Sequence, residues 1–169
     1  MGIILHLQLL GGFALRVGGR PVALGGSRLH ALVAYLGLHS GAPQSRQQMA
    51  VRFWPEVPEA QGRNNLRQLL HQLRQAWPDH EDWIESDARA MQWRGARAHV
   101  DAFEFEREFA AVRAMRGGER GSARARLARI TPTYAGDLLP DCYDDWVAPH
   151  RDRLHACALG ALDLAIVLA

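Results

Sequence analysis

The sequence predicts an α+β protein whose first part mixes short strands with helices and whose second part is helical. Three observations carry this prediction. Apolar residues alternate loosely over residues 3–24, with Gly-Gly pairs at 11–12 and 18–19. Three segments between Ser27 and Pro78 repeat their apolar residues at helical spacing. From Val100 onward strand-type alternation gives way to helical segments.

The elements follow in order. "IILHLQLLGG", "FALRVGG" and "RPVAL" read as three short strands, the last two joined as a hairpin at Gly18-Gly19. Ser27 is placed to cap a helix running to about His39, with Leu29, Leu32, Val33 and Leu36 inward and Ser40-Gly41 ending it. Ser45 and Gln48 have capping-box spacing at the start of "SRQQMAVRFW", a second helix stopped by Pro55 and Pro58. In "GRNNLRQLLHQLRQAWP" Leu66, Leu69, Leu70 and Leu73 fall at i, i+3, i+4 and i+7, one face of a third helix that Pro78 ends. "WIE" and "MQW" then form a hairpin around Asp87–Ala90. Strands, three helices and a hairpin make a winged helix-turn-helix with an N-terminal antiparallel β-sheet, predicted here over residues 1–99.

Residues 100–169 form the second predicted domain. "DAFEFEREFAAVRAM" sets Phe105 and Phe109 at i,i+4, and Gly117-Gly118 breaks it. "ERGSARARLARI" is a second helix, "TPTYAGDLLPD" an extended linker, and "DDWVAPHRDRLHACALGALDLAIVLA" a long apolar helix. Paired helices of about this size are the unit of tetratricopeptide-like arrays, which need roughly three stacked units, whereas this segment has length for about two.

Composition narrows the function. A length of 169 residues, 48% hydrophobic, suits one domain or two small ones. Two cysteines, Cys142 and Cys157, argue against a disulfide-built secreted module. The apolar start lacks a basic n-region, so no signal peptide is expected. With no apolar run of about 18 residues, no membrane span is expected either, and the predicted location is cytoplasmic. The net charge of +2 hides an asymmetry: residues 1–78 carry eight arginines against two acids, whereas acids outnumber arginines afterwards. Positive charge concentrated in the first part suits a polyanion partner.

The third helix concentrates it further. Opposite its leucines stand Arg63, Asn64, Arg67, Gln68, His71, Arg74 and Gln75, and no acid occurs from Ala60 to Pro78. A solvated helix usually mixes both signs, because i,i+4 Glu–Arg pairs help it. Arginine reads guanine bidentately and Asn or Gln reads adenine. Asn64, Arg67, Gln68 and His71 are therefore the candidates for base contact, with Arg63 and Arg74 for phosphate. Arg46 and Gln47, beside the second helix's cap, are candidates for further phosphate contacts, and Arg89 for a contact from the hairpin tip.

Other chemistries are poorly supplied. Cys142, His150, His155 and Cys157 lack a zinc-site spacing, so no metal is expected. "GGFALRVGG" is no phosphate loop, because it lacks GxxxxGK[ST] and the chain has no lysine. No nucleophile–base pair or paired carboxylates stand out, so neither catalysis nor a cofactor is expected. Trp54, Trp77, Trp83 and Trp93 sit among apolar residues at element ends and are expected to fill core. The residues alone leave two readings: a module that binds double-stranded DNA, and a protein-interaction module without specific DNA binding.

"LLGGFALRVGGRPVAL", "HALVAYLGLHSGAPQSRQQMAVRFWPE", "RNNLRQLLHQLRQA" and "HVDAFEFEREF" together resemble the head of bacterial activators of the SARP type. "YAGDLLPDCYDDWVAPHRDRL" is similar to the bacterial transcriptional activator domain that follows that head. The resemblance runs over nearly the whole chain, and "FWPE" followed by "RNNLRQ" is its most specific part. It implies an OmpR/PhoB-like winged helix that binds direct repeats in promoters and contacts RNA polymerase. It also implies a tetratricopeptide-like second domain serving dimerisation, through the C-terminal helices, or regulation. In the family that domain usually runs well past the position of Ala169. The family's wing is represented here by "SDARA", with Arg89 its one basic residue beside Asp87.

Overall fold

The computed structural model of the chain describes residue 2, residues 4–115 and residues 117–169. Ile3, which the sequence places in the first strand, lies outside the described residues. The chain divides into two compact units, one comprising the start to Leu7 with Ala14–His99, the other Gln8–Phe13 with Val100–Ala169.

In the first unit β1 (Leu5–Gln8), β2 (Ala14–Val17), β3 (Arg20–Pro21) and β7 (Ala98–Val100) form a sheet in the order β3-β2-β1-β7. Leu5 and Leu7 are buried while His6 and Gln8 are exposed, the alternation of a one-sided sheet. The β2–β3 hairpin pairs Val17 with Arg20. Gly18 and Gly19 both take positive φ, 57° and 78°, as a tight two-residue turn requires. β7 has no counterpart in the sequence prediction.

Helix α1 (Ser27–Leu38) is buried almost from end to end, which explains its weak amphipathicity. Its N-cap is Gly26 at φ 133°, so Ser27 is the first helical residue and not the cap the sequence suggested. A Cβ on Gly37 would stand 2.7 Å from Leu7 Cδ2, so the missing side chain lets α1 press against β1. Helix α2 (Arg46–Phe53) starts as its spacing predicts, with Ser45 Oγ accepting from the Gln48 N–H at 3.3 Å.

Helix α3 (Glu59–Ala76) buries Gly62, Leu66, Leu69, Leu70 and Leu73. It packs closely on α2: a Cβ on Gly62 would lie 3.2 Å from the Ala50 carbonyl oxygen. A 3₁₀ turn over Pro78–Asp82 leads into β5 (Ile84–Ser86) and β6 (Ala90–Trp93). These pair as Ile84↔Trp93, Glu85↔Gln92 and Ser86↔Met91, and β4 (Gln44–Ser45) adds to the far side of β6. Trp77, Trp83 and Trp93 are buried. Trp54 is half-buried, with the Arg28 guanidinium 5.2 Å from its ring centroid.

In the second unit the segment Gln8–Phe13 is built in by hydrogen bonds. Both oxygens of Asp101 accept from it, Oδ1 from the Leu9 N–H at 2.9 Å and Oδ2 from the Leu10 N–H at 3.0 Å. The Leu139 N–H donates to the Leu9 carbonyl at 2.9 Å, and the Gly11 N–H to that of Asp137 at 2.9 Å. The sequence assigned this segment to the first unit, because local alternation carries no mark of partners some 90 residues downstream.

Helices α4 (Asp101–Arg113), α5 (Arg120–Ile130) and α6 (Ala148–Leu168) meet through Phe105, Phe109, Leu127, Ile130, Leu154 and Ala161. Glu108 on α4 takes Arg126 at 3.4 Å and Arg129 at 2.8 Å from α5, and Glu106 takes Arg153 from α6. Gly160 admits Phe109, whose Cζ would be 2.9 Å from a Cβ there. Arg151 fastens the preceding linker by donating to the carbonyls of Leu138, Leu139 and Cys142. Leu159, Leu162, Ile166 and Val167 of α6 are exposed. No helix among the described residues is long and apolar enough to cross a membrane.

Candidate functional site

The site lies in the first unit, where α3, the start of α2 and the β5–β6 hairpin come together. With the leucines of α3 turned inward, helical geometry turns Arg67, Gln68, His71 and Arg74 outward, and all four are exposed. Among the described residues neither Arg67 nor Arg74 makes an ion pair, so two guanidinium groups seven residues apart stand free on one helix face. His71 Nε2 is 3.3 Å from Gln75 Nε2, one turn later. Asn64 is half-buried.

The helix starts one residue before the acid-free stretch, and that residue is Glu59. Its carboxylate lies 3.3 Å from Arg63 Nη1 and accepts from Gln47 Nε2 at 3.0 Å. Arg63 and Gln47 therefore share one acidic neighbour, at a pair exposed to solvent on both sides. Such exposed pairs hold weakly, roughly 0–1 kcal/mol, so neither side chain is locked away. An acid in the first turn also complements the positive end of the helix dipole.

Arg46 joins this face through β4. Register Ser45↔Ala90 sets the start of α2 against the hairpin, and the Arg46 N–H donates to the Arg89 carbonyl at 2.8 Å. Arg46 Nη2 donates to Ser86 Oγ at 2.9 Å. Its Nε is buried with no hydrogen-bond partner among the described residues. Burial lowers the Arg46 pKa, and the charges of Arg74 and Arg67 lower it further, against an opposing pull from Asp87. Arg46 thus lies within the fields of Arg74 and Arg67.

At the hairpin tip Asp87 Oδ1 accepts from the N–H groups of Arg89 and Ala90 at 2.6 and 2.8 Å. These two bonds hold its carboxyl below the usual range, and the nearby charges of Arg46 and Arg89 act in the same direction. The turn is thereby fixed, and Arg89 stands exposed on it. A polar depression of about 330 Å³ opens beside the C-terminal half of α3, lined by Arg74, His80, Glu81, Glu85, Ser86 and Arg94 together with apolar residues. Arg94 is occupied by Glu85 at 3.5 Å. His80 is buried, its Nδ1 2.9 Å from the Trp77 carbonyl oxygen.

The structure therefore brings together Arg46, Arg67, Arg74 and Arg89 from three elements. It sets Arg63 and Gln47 apart with Glu59. Sequence reasoning missed Glu59, Ser86 and Arg94. Glu59 could have been found from Pro58, since proline followed by an acid is a common helix opening. Ser86 had no local signal.

No family model matches this chain, and no curated protein matches it in sequence. Among solved structures it is similar in fold to EmbR of Mycobacterium tuberculosis, determined in complex with a low-affinity phosphopeptide. The TM-score is 0.77 at 21% identity, over 95% of this chain. The chain spans 44% of the length of that EmbR chain. At this identity the likeness is one of fold.

Proposed function

We propose that this chain is a SARP-type transcriptional regulator that binds double-stranded DNA sequence-specifically. In this reading residues 1–99 form an OmpR/PhoB-like winged helix, α3 enters the major groove, and β5–β6 is the wing. Residues 100–169 are the tetratricopeptide-like activator-type domain. The observation that carries the reading is the exposed α3 face, on which Arg67 and Arg74 make no ion pair among the described residues while Arg46 lies within their field. Three like charges kept close are unfavourable for the free protein and favourable for one that meets a polyanion. The fold shared with EmbR and the resemblance of the sequence motifs support the same reading.

The division of labour follows from geometry. Arg67, Gln68 and His71, with Asn64 one turn earlier, read base edges. Arg46, Arg74, Arg63 and Gln47 position the duplex through its phosphates, and Arg89 touches the backbone from the wing. The protein acts by binding and not by catalysis, in the cytoplasm, as an activator on promoter direct repeats in contact with RNA polymerase. Homodimers form through the C-terminal helices, whose exposed Leu159, Leu162 and Ile166 lie at i, i+3 and i+7. That apolar stripe also favours a second reading, a protein-interaction module with no specific DNA binding.

Selection from a random duplex pool separates the two. The proposal expects one recurring motif, arranged as direct repeats, to be enriched over successive rounds. Enrichment of no motif, with retained DNA reflecting charge alone, would leave the interaction module as the surviving reading.

A further inference from the structure

We infer that Arg46, Ser86 and Arg74 together form a seat for one phosphate group, with the Ser86 hydroxyl as a donor to it. The inference extends the DNA-binding reading to a named contact, and rests on that reading only for the source of the phosphate.

Ser86 is exposed at the end of β5, and its oxygen already accepts from Arg46 Nη2 at 2.9 Å. A hydroxyl so engaged keeps its own proton to donate. Ser86 lines the same depression as Arg74, and Arg46 reaches its edge through the Ser86 hydroxyl, so the hydroxyl stands between the two guanidinium groups. Oxyanions with several acceptor oxygens match such an arrangement, and guanidinium–phosphate bonds are charge-assisted.

Two of the three neighbouring acids already have partners. Glu85 faces Arg94 at 3.5 Å, and Asp87 accepts from two backbone N–H groups at the turn. Glu81 and Glu85 both line the depression, Glu85 already paired with Arg94 there. The field of Arg74 and Arg67 on Arg46 is the strain that a bound anion relieves. The hairpin register and the Arg46 N–H bond to the Arg89 carbonyl set Arg46 against Ser86 before any ligand arrives.

The shared chemistry is a phosphate oxyanion, supplied either by a DNA backbone diester or by a free phosphate monoester. In the first arm of the test, inorganic phosphate is titrated against chloride at matched ionic strength, following the Arg46 and Arg74 side-chain NMR signals. Phosphate should move both signals. Ser86→Ala should weaken it about tenfold, the effect of one hydrogen bond to a charged group, and Ser86→Thr, which keeps the hydroxyl, should restore it. Phosphate acting no differently from chloride, or Ser86→Ala leaving the titration unchanged, overturns the seat.

The second arm uses duplexes with one neutral methylphosphonate at each backbone position in turn. A single position at which Ser86→Ala has no further effect identifies the diester as the source. No such position, with the first arm positive, assigns the seat to a free phosphate monoester. Failure to bind any duplex would end the DNA reading while the first arm still decides the seat.

Discussion

Replacing Arg67 with alanine is expected to weaken binding to the selected duplex by roughly 10- to 100-fold, with a shuffled duplex much less affected. Arg67 lies near the middle of the exposed α3 face, has no ion-pair partner among the described residues, and carries the fork that guanine accepts. One good bidentate base contact is worth about 1–3 kcal/mol of discrimination, and each 1.4 kcal/mol is about tenfold in affinity. Arg74→Ala makes a useful contrast. As a phosphate contact it should weaken selected and shuffled duplexes alike and lower the salt slope by about one. Arg63→Ala should cost less than either, because Glu59 already offsets its charge. Competition titrations with both duplexes separate these patterns, and equal losses for Arg67→Ala on both would remove it from base reading.

Asp101→Ala is expected to destabilise the second unit by about 3 kcal/mol. The carboxylate accepts from Leu9, Leu10 and Ala102 N–H groups at 2.9, 3.0 and 2.8 Å. Leu9 and Leu10 are themselves fully buried, so removing their acceptor leaves two donors with little access to water. Each such orphan costs roughly 1–3 kcal/mol. At roughly 2–4 °C per kcal/mol for a chain of this size, the unfolding midpoint should fall by about 10 °C. Asp101→Asn keeps one acceptor oxygen and should fall between the two.

The same carboxyl gives an unusual pH dependence. Burial raises its pKa above the ordinary value, although the three N–H bonds oppose the shift. Between the unfolded and the raised folded value the native state holds a proton that the unfolded chain has released. The contribution of Asp101 is therefore largest below that window and declines as pH rises through it, levelling off above. Thermal melts of the wild type and Asp101→Asn across the acidic range should show this component only in the wild type. A difference between the two that stays constant across the window would contradict the assignment.

What could be read from the sequence was what local chemistry dictates. Leu66, Leu69, Leu70 and Leu73 mark the buried side of α3 by spacing alone, and all four are buried. Ser45 and Gln48 announce the start of α2, and Gly18-Gly19 the first hairpin. The elements that escaped are those whose stability lies in distant partners. β4 and β7 are two and three residues long and exist because other strands bind them. Gln8–Phe13 reads as the end of a strand and a turn, yet Asp101 and Asp137 claim its N–H groups. The candidate site divides in the same way. Its α3 face was legible from residue type and periodicity. The junction that sets Arg46 against Ser86 depends on strand register, which no window of sequence contains.

The most direct test of the account is fluorescence anisotropy of the full chain with the selected duplex and its shuffled counterpart over a range of salt. The account predicts that log affinity falls linearly with log salt, by about 0.9 for each phosphate neutralised, on both duplexes. It predicts further that the selected duplex stays roughly a thousandfold tighter at physiological salt. Weak binding of equal strength to both duplexes, indifferent to salt, would contradict the claim that α3 reads DNA.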